Sequence, residues 1–236
     1  MKGDESREVR IPIDGASLEG TIERGAGATG LVVFAHGAGS SRFSPRNRFV
    51  AGELRAAGVA TLLFDLLTEE EEADRANVFD IELLADRLVR VTEWVRRDRE
   101  WAEQPIGYFG ASTGAAAALV AAARLGDAIA AVVSRGGRPD LAGPALREVT
   151  APTLLIVGGA DDVVLELNRE AYEELTEEKE LVVVPGATHL FEEPGALERV
   201  AALAADWFVR HFHRHRAIGD QAPIPSHRGP GTDSQS

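Results

Sequence analysis

Ile106-Gly107-Tyr108-Phe109-Gly110-Ala111-Ser112-Thr113-Gly114-Ala115-Ala116-Ala117-Ala118-Leu119-Val120 is the stretch on which the fold turns. Residues 106–109 make an apolar run suited to a buried strand, and the Ala-rich run from Ser112 to Leu125 suits a helix. Between them lies Gly110-Ala111-Ser112-Thr113-Gly114, a Gly-x-Ser-x-Gly pentapeptide. Strand, sharp turn and helix in that order lift a serine hydroxyl above the sheet, with the helix N-terminus aimed at it. Gly110 and Gly114 leave room for a tight strand–helix approach. The competing use of Ser112 is an ordinary helix N-cap. The nucleophile reading therefore needs a base, an acid that orients it and an oxyanion site from elsewhere in the chain.

Upstream, Val9–Ile13 and Leu18–Glu23 read as two strands around the turn Asp14-Gly15. Leu31–Ala35 and Val59–Phe64 are continuous apolar runs, as expected of strands covered on both faces. Helical spacing links them over 47–57, where Gly58 ends it, and a long amphipathic pattern follows over 77–101. Downstream, Ile129–Val133, Thr153–Val157 and Leu181–Val184 are further strand candidates. Helical segments separate them at 141–149 and 164–175, and a last helix spans about 195–213. Strands alternating with helices predict an α/β domain with a mostly parallel central sheet of about eight strands and helices on both faces. Trp94, Trp101, Trp207 and Phe208 fall on the helical patterns as packing residues. From Ala217 the composition turns to Gly, Pro, Ser, Asp and Gln, so residues 1–216 are expected to form the domain and 217–236 a disordered tail.

The chain has 236 residues, 44% of them apolar, enough for one domain with a sizeable core. It contains no Cys, which excludes disulfides, thiolate metal sites and a Cys nucleophile. The formal charge of −13 argues against nucleic acid as a partner. No apolar run approaches membrane-spanning length, and the start, Met1-Lys2-Gly3-Asp4-Glu5, lacks the apolar core of a secretory signal. A cytoplasmic location with no membrane partner is the expectation.

An open parallel sheet places its chemistry beyond the carboxyl ends of its strands. After Thr153–Val157 comes Gly158-Gly159-Ala160-Asp161-Asp162, where either carboxylate is suited to accept a hydrogen bond from a histidine ring. After the last strand comes Pro185-Gly186-Ala187-Thr188-His189, where His189 is placed to act as general base and then acid. The loop His36-Gly37-Ala38-Gly39-Ser40-Ser41 follows Leu31–Ala35. Its bland reading is a Gly-rich turn, and it lacks the Gly-Lys-Ser/Thr ending of a nucleotide-binding loop.

With these residues in hand the chain resembles the α/β-hydrolases, and within them the dienelactone hydrolase-like group, over roughly residues 8–213. The matching stretches are residues 36–41, 107–114, 158–161 and 185–189, and Ser134-Arg135-Gly136-Gly137-Arg138-Pro139-Asp140 resembles members that stand alone or are fused to a phosphoribosyltransferase. The order Ser, Asp, His is that of the α/β-hydrolase triad. The resemblance implies Ser112 as nucleophile, His189 as base, and Asp161 rather than Asp162 as the orienting acid. Asp162 is then left to cap a helix. It also implies an oxyanion site made by the backbone N–H groups of Ala38 and Thr113. Dienelactone hydrolases themselves use Cys where this chain has Ser112, so the chemistry carries over and the named substrate does not.

Ser134 and the strand at Thr153 enclose room for only one short helix, so no large cap domain is expected, and the site should be open to small soluble esters. Arg135 and Arg138 border it, suited either to a substrate carboxylate or phosphate, or to pairing with Asp140 or Glu148. His36 is a further candidate for substrate contact. The run Glu69–Glu72 reads as a solvated loop near the pocket mouth, and His211, His213 and His215 as cations at a helix end rather than metal ligands. No metal or cofactor is expected, and a homo-oligomer is left open. The leading expectation is a serine hydrolase that cleaves small esters through an acyl-enzyme. Its rivals are a thioesterase, amidase or acyltransferase with the same triad, and a non-catalytic ligand-binding relative.

Overall fold

A computed structural model describes residues 5–25 and 27–219. The hairpin β1 (Glu5–Ile13) and β2 (Ala16–Arg24) opens the chain, with Gly15 at φ +76° taking the left-handed turn between them. Then follow β3 (Leu31–Ala35), α1 (Pro45–Ala56) and β4 (Ala60–Phe64). Two four-residue helices, α2 (Glu69–Glu72) and α3 (Arg75–Val78), lead into the long α4 (Ile81–Arg97). The remaining elements are β5 (Ile106–Ala111), α5 (Thr113–Leu125), β6 (Ala131–Arg135), β7 (Thr153–Gly158), α6 (Asp162–Glu174), β8 (Lys179–Val184) and α7 (Ala196–Gly219).

The eight strands lie in the order β1-β2-β4-β3-β5-β6-β7-β8, parallel from β4 to β8. The antiparallel hairpin is laid on the β4 edge. Neighbouring residues of β5 show why both faces are apolar. Tyr108 belongs to the core under α4 and α5, while Phe109 belongs to the core under α1 and α7. Ala115–Ala122 of α5 are all buried, because an alanine surface lets that helix lie close against the sheet on one side and α4 on the other. The Tyr108 hydroxyl pairs with Thr92 of α4 at 2.5 Å, which ties the strand carrying the elbow to the helix layer. Burial pushes the Tyr108 hydroxyl well above the ordinary tyrosine range.

Between β6 and β7 stands only a 3-10 run, Pro139–Glu148, kinked at Gly143 and Pro144. The expected single short helix is thus present in tighter form, and the sheet's carboxyl end carries no inserted cap. The amphipathic pattern over 77–101 is broken at Phe79-Asp80, where the Asp80 carboxylate accepts the Leu83 N–H at 3.0 Å and starts α4 afresh. The acidic run 69–72 is a helix rather than a loop. Thr68 and Glu71 form a reciprocal capping box, and Glu71 also reaches Arg87 at 2.5 Å. Helix α7 continues past His213 to Gly219, so its last turn takes in the first residues of the segment read as a tail. Residues 220–236 lie outside the described residues. His211 is buried against Trp207, and burial lowers its pKa, so it is not the helix-end cation expected. Among the described residues no helix is long and apolar enough to cross a membrane.

Candidate active site

Ser112 stands between β5 and α5 with φ +51° and ψ −123°. A non-glycine residue held there stores about 1–3 kcal/mol of backbone strain. It occupies the N-cap position, yet its hydroxyl makes no capping hydrogen bond. The backbone holds the turn instead. Ser112 N–H donates to the Arg135 carbonyl at 3.4 Å, and the Ser112 carbonyl accepts from the N–H groups of Ala115 and Arg138, each at 3.1 Å. The flanking glycines are obligatory. A Cβ on Gly110 would lie 2.4 Å from Ala115 Cα, and one on Gly114 would lie 2.2 Å from the Ala35 carbonyl oxygen.

Asp161 and His189 come from the loops after β7 and β8, joined by backbone bonds from Gly159 to Val184 (2.8 Å) and from Ala160 to Ala187 (2.9 Å). His189 Nδ1 and Asp161 Oδ2 are 2.7 Å apart. A carboxylate partner fixes the neutral ring with its proton on Nδ1, leaving the Nε2 lone pair free. The His189 side chain is 38% exposed and that of Asp161 16%. Asp161, not Asp162, stands at the N-cap of α6, and its carboxylate is turned to His189 rather than to the helix. Asp162 is exposed in the first helical turn, so the cap role read for it is not taken.

No hydrogen bond among the described residues joins Ser112 to His189. The segment that links them is 135–138. It receives Ser112 through the backbone bonds above, and a Cβ built on Gly136 would lie 3.6 Å from His189 Nδ1. Two residues past His189, Phe191 is held at φ +55°.

The loop after β3 is anchored by His36. Its Nε2 accepts the Leu66 N–H at 3.1 Å, so Nδ1 carries the proton, which points to the Gly37 carbonyl at 3.1 Å. Burial lowers its pKa, against weaker upward pulls from the Gly37 bond, Asp65 and Glu72. With both nitrogens committed to backbone, His36 has none left for the substrate contact expected of it. The loop passes beside the elbow: a Cβ on Gly37 would lie 3.7 Å from Ser112 Oγ. Ala38 N–H donates at 2.9 Å to the hydroxyl of Thr113, which is buried. The Ala38 donor is thus aimed at the elbow, but at a side chain. A cleft beside this loop is lined by Leu66, Leu67, Val78 and Leu84 with Glu72 at its wall.

Arg138 grips Asp140 with Nε and Nη2, at 2.8 and 2.7 Å, so the structural pairing wins over substrate binding there. Arg135 is buried with neither Nε nor Nη1 partnered. Sequence reasoning missed the Thr113 hydroxyl, the Thr92–Tyr108 brace and the strain at Phe191. Thr113 had a signal, its place beside Ser112; nothing local marks the other two.

A mostly parallel sheet, a strained serine elbow and an Asp–His pair from the following loops define an α/β-hydrolase. The chain belongs to the dienelactone hydrolase family, whose model matches residues 28–214. It is similar to the structure of a dienelactone hydrolase from Anabaena variabilis ATCC 29413, with TM-score 0.86 and 54% identity, over 89% of this chain and 99% of that one. It shares the fold of Est1E from Butyrivibrio proteoclasticus, with TM-score 0.75 and 17% identity, over 87% and 99%. Mycobacterium tuberculosis H37Rv has a protein named "Putative phosphoribosyl transferase" that is 67% identical over 183 residues, 78% of this chain. The chain spans 41% of the length of that relative. The family whose model it matches is one of hydrolases, and Est1E, at 17% identity, shows the fold alone.

Proposed function

We propose that this chain is a hydrolase, a serine esterase acting on small soluble carboxylic esters. His189 Nε2 takes the Ser112 hydroxyl proton as Oγ attacks the ester carbonyl. The oxyanion that forms is held by the N–H groups of Thr113 and Ala38, the latter shared between the oxyanion and the Thr113 hydroxyl that aims it. His189 then protonates the departing alcohol. Water, deprotonated by the same ring, attacks the acyl-enzyme, releases the acid and returns the proton to Ser112. Asp161 keeps the ring in its tautomer and stabilises the imidazolium. The uncapped, left-handed Ser112 carries this reading, because a strained serine with its hydroxyl spared from the helix has no structural use. The uncapped sheet edge supports small soluble substrates, and a chain without Cys suits the reducing cytoplasm.

A fluorophosphonate probe mapped by mass spectrometry tests this. Labelling is expected on Ser112, with loss of both label and ester turnover in a folded Ser112→Ala variant. Turnover undiminished in that variant would overturn the reading.

A further inference from the structure

Asn168 lies in the middle of α6 and is fully buried, on a face whose other buried residues are Val164, Leu165 and Ala171. Asparagine is a poor helix former, and a buried amide is unfavourable unless its polar atoms are met. One of them is not: Oδ1 has no partner among the described residues. An apolar side chain would suit this face better, so the explanation lies with the other end of the amide. Nδ2 donates twice, to the Val164 carbonyl one turn back at 2.7 Å and across to the Gly137 carbonyl at 3.0 Å. No backbone N–H among the described residues meets the Gly137 carbonyl, so the Asn168 side chain is what holds it.

Gly137 belongs to the segment that carries the elbow. On one side of it the Arg135 carbonyl accepts the Ser112 N–H at 3.4 Å, and on the other the Arg138 N–H donates to the Ser112 carbonyl at 3.1 Å. The segment is closely confined as well: a Cβ on Gly137 would lie 2.0 Å from Ser134 Oγ and 2.6 Å from Ala115 Cβ. The helix that carries Asn168 starts at Asp161, about two turns earlier, and the Asp161 carboxylate holds His189 at 2.7 Å. The Ser112 half and the Asp161–His189 half of the site are thus joined through residues 135–138, the Asn168 amide and α6. Resting on the esterase reading above, we propose that Asn168 is a positioning residue that sets the Ser112 hydroxyl within reach of the His189 ring. It touches no substrate. It holds the Gly137 carbonyl, and with it the backbone that keeps Ser112 at φ +51°, in a fixed place relative to the helix that presents Asp161. A strained turn persists only where its surroundings over-determine it, and proton transfer to the ring needs hydrogen-bond reach.

Asn168→Ser separates the two bonds, because a hydroxyl inside a helix bonds the carbonyl four residues back and is too short to reach Gly137. With p-nitrophenyl acetate, kcat is expected to fall about tenfold or more while KM stays within about twofold, since the proton-transfer geometry is lost and the substrate contacts are not. Amide hydrogen exchange, followed by mass spectrometry, should speed up in the peptides that carry residues 112 and 138 and stay unchanged in the β1–β2 hairpin. An unchanged kcat beside an active wild type overturns the proposal and leaves the esterase reading intact. A fall in kcat without faster exchange at 112 and 138 overturns it too, as does exchange raised throughout the chain, the mark of a merely structural residue. Should the wild type cleave no ester, the esterase reading is lost and exchange alone decides: local acceleration at 112 and 138 supports the tether, and none overturns it. If Asn168→Ser fails to fold, Asn168→Thr makes the same helical bond, fills more of the site and is judged by the same outcomes.

Discussion

His36 and His189 occupy equivalent places, each in a loop at the carboxyl end of a parallel strand, and the structure gives them different hydrogen-bond partners. His36 is part-buried, and both its nitrogens meet backbone groups, at Leu66 N–H and the Gly37 carbonyl. His189 is part-exposed, and only Nδ1 is engaged, by Asp161. A ring with both nitrogens committed and its proton disfavoured by burial is a clamp. A ring with one nitrogen fixed by a carboxylate and the other open is suited to act as a base. The residue type is the same, and the second hydrogen-bond partner decides.

The largest test of that contrast is His189→Ala, expected to lower ester kcat by about 10⁵-fold with little change in thermal midpoint. A fall of tenfold or less would show that His189 is no base. Asp161→Asn comes next. The amide cannot hold the imidazolium and favours the wrong tautomer, so kcat should drop by about 10⁴-fold while KM stays within a few-fold. Equal kcat in this variant would reduce Asp161 to loop packing. Thr113→Val should cost about tenfold in kcat, since the Ala38 loop loses the hydroxyl that aims its N–H, and Thr113→Ser should restore most of it. If Val and Ser variants behaved alike, the 2.9 Å contact would be incidental.

The smallest effect on turnover and the clearest on stability belongs to His36→Gln, expected to cost about 2 kcal/mol from two part-buried hydrogen bonds. In a chain of this size that is roughly 4–8 °C in thermal midpoint. Its pH dependence has a definite sign. Burial lowers the His36 pKa in the folded chain below the ordinary value of 6.5, so the fold favours the neutral ring. The stability this contributes is present above about pH 6.5 and is lost as pH falls through the lowered pKa. Wild type should therefore melt at progressively lower temperature from about pH 7 to pH 5, and His36→Gln should flatten part of that slope. His211, also lowered by burial, accounts for more of it in the same direction. A melting temperature that does not move with the His36 change would dissolve the contrast between the two rings.

Much of this was legible in the chain because it is written in local pattern. Apolar runs that stop at Gly or His marked several strand ends, and polar groups after three of the strands, β5, β7 and β8, marked Ser112, Asp161 and His189. Boundaries failed where a single capping side chain intervened: Asp80 split one amphipathic pattern into α3 and α4, and Thr68 with Glu71 turned an acidic run into helix. The arginines divided in a way no pattern foretells. Arg138 has its acid two residues away and took it, whereas Arg135 lies 6.0 Å from the Phe191 ring centroid and pairs with no acid among the described residues.

The amino-acid sequence by itself determined the alternation of strand and helix, the glycines that permit the elbow, and the order of the polar residues at the strand ends. All of these depend on side-chain chemistry over a few neighbouring positions. Tertiary structure alone decided which nitrogens of each histidine are engaged, that the Ala38 N–H meets the Thr113 hydroxyl, and that buried Arg135 keeps Nε and Nη1 without a partner among the described residues. Those depend on groups tens of residues apart, and in a close-packed interior a hydrogen bond or a missing partner exists only once the layers have come together.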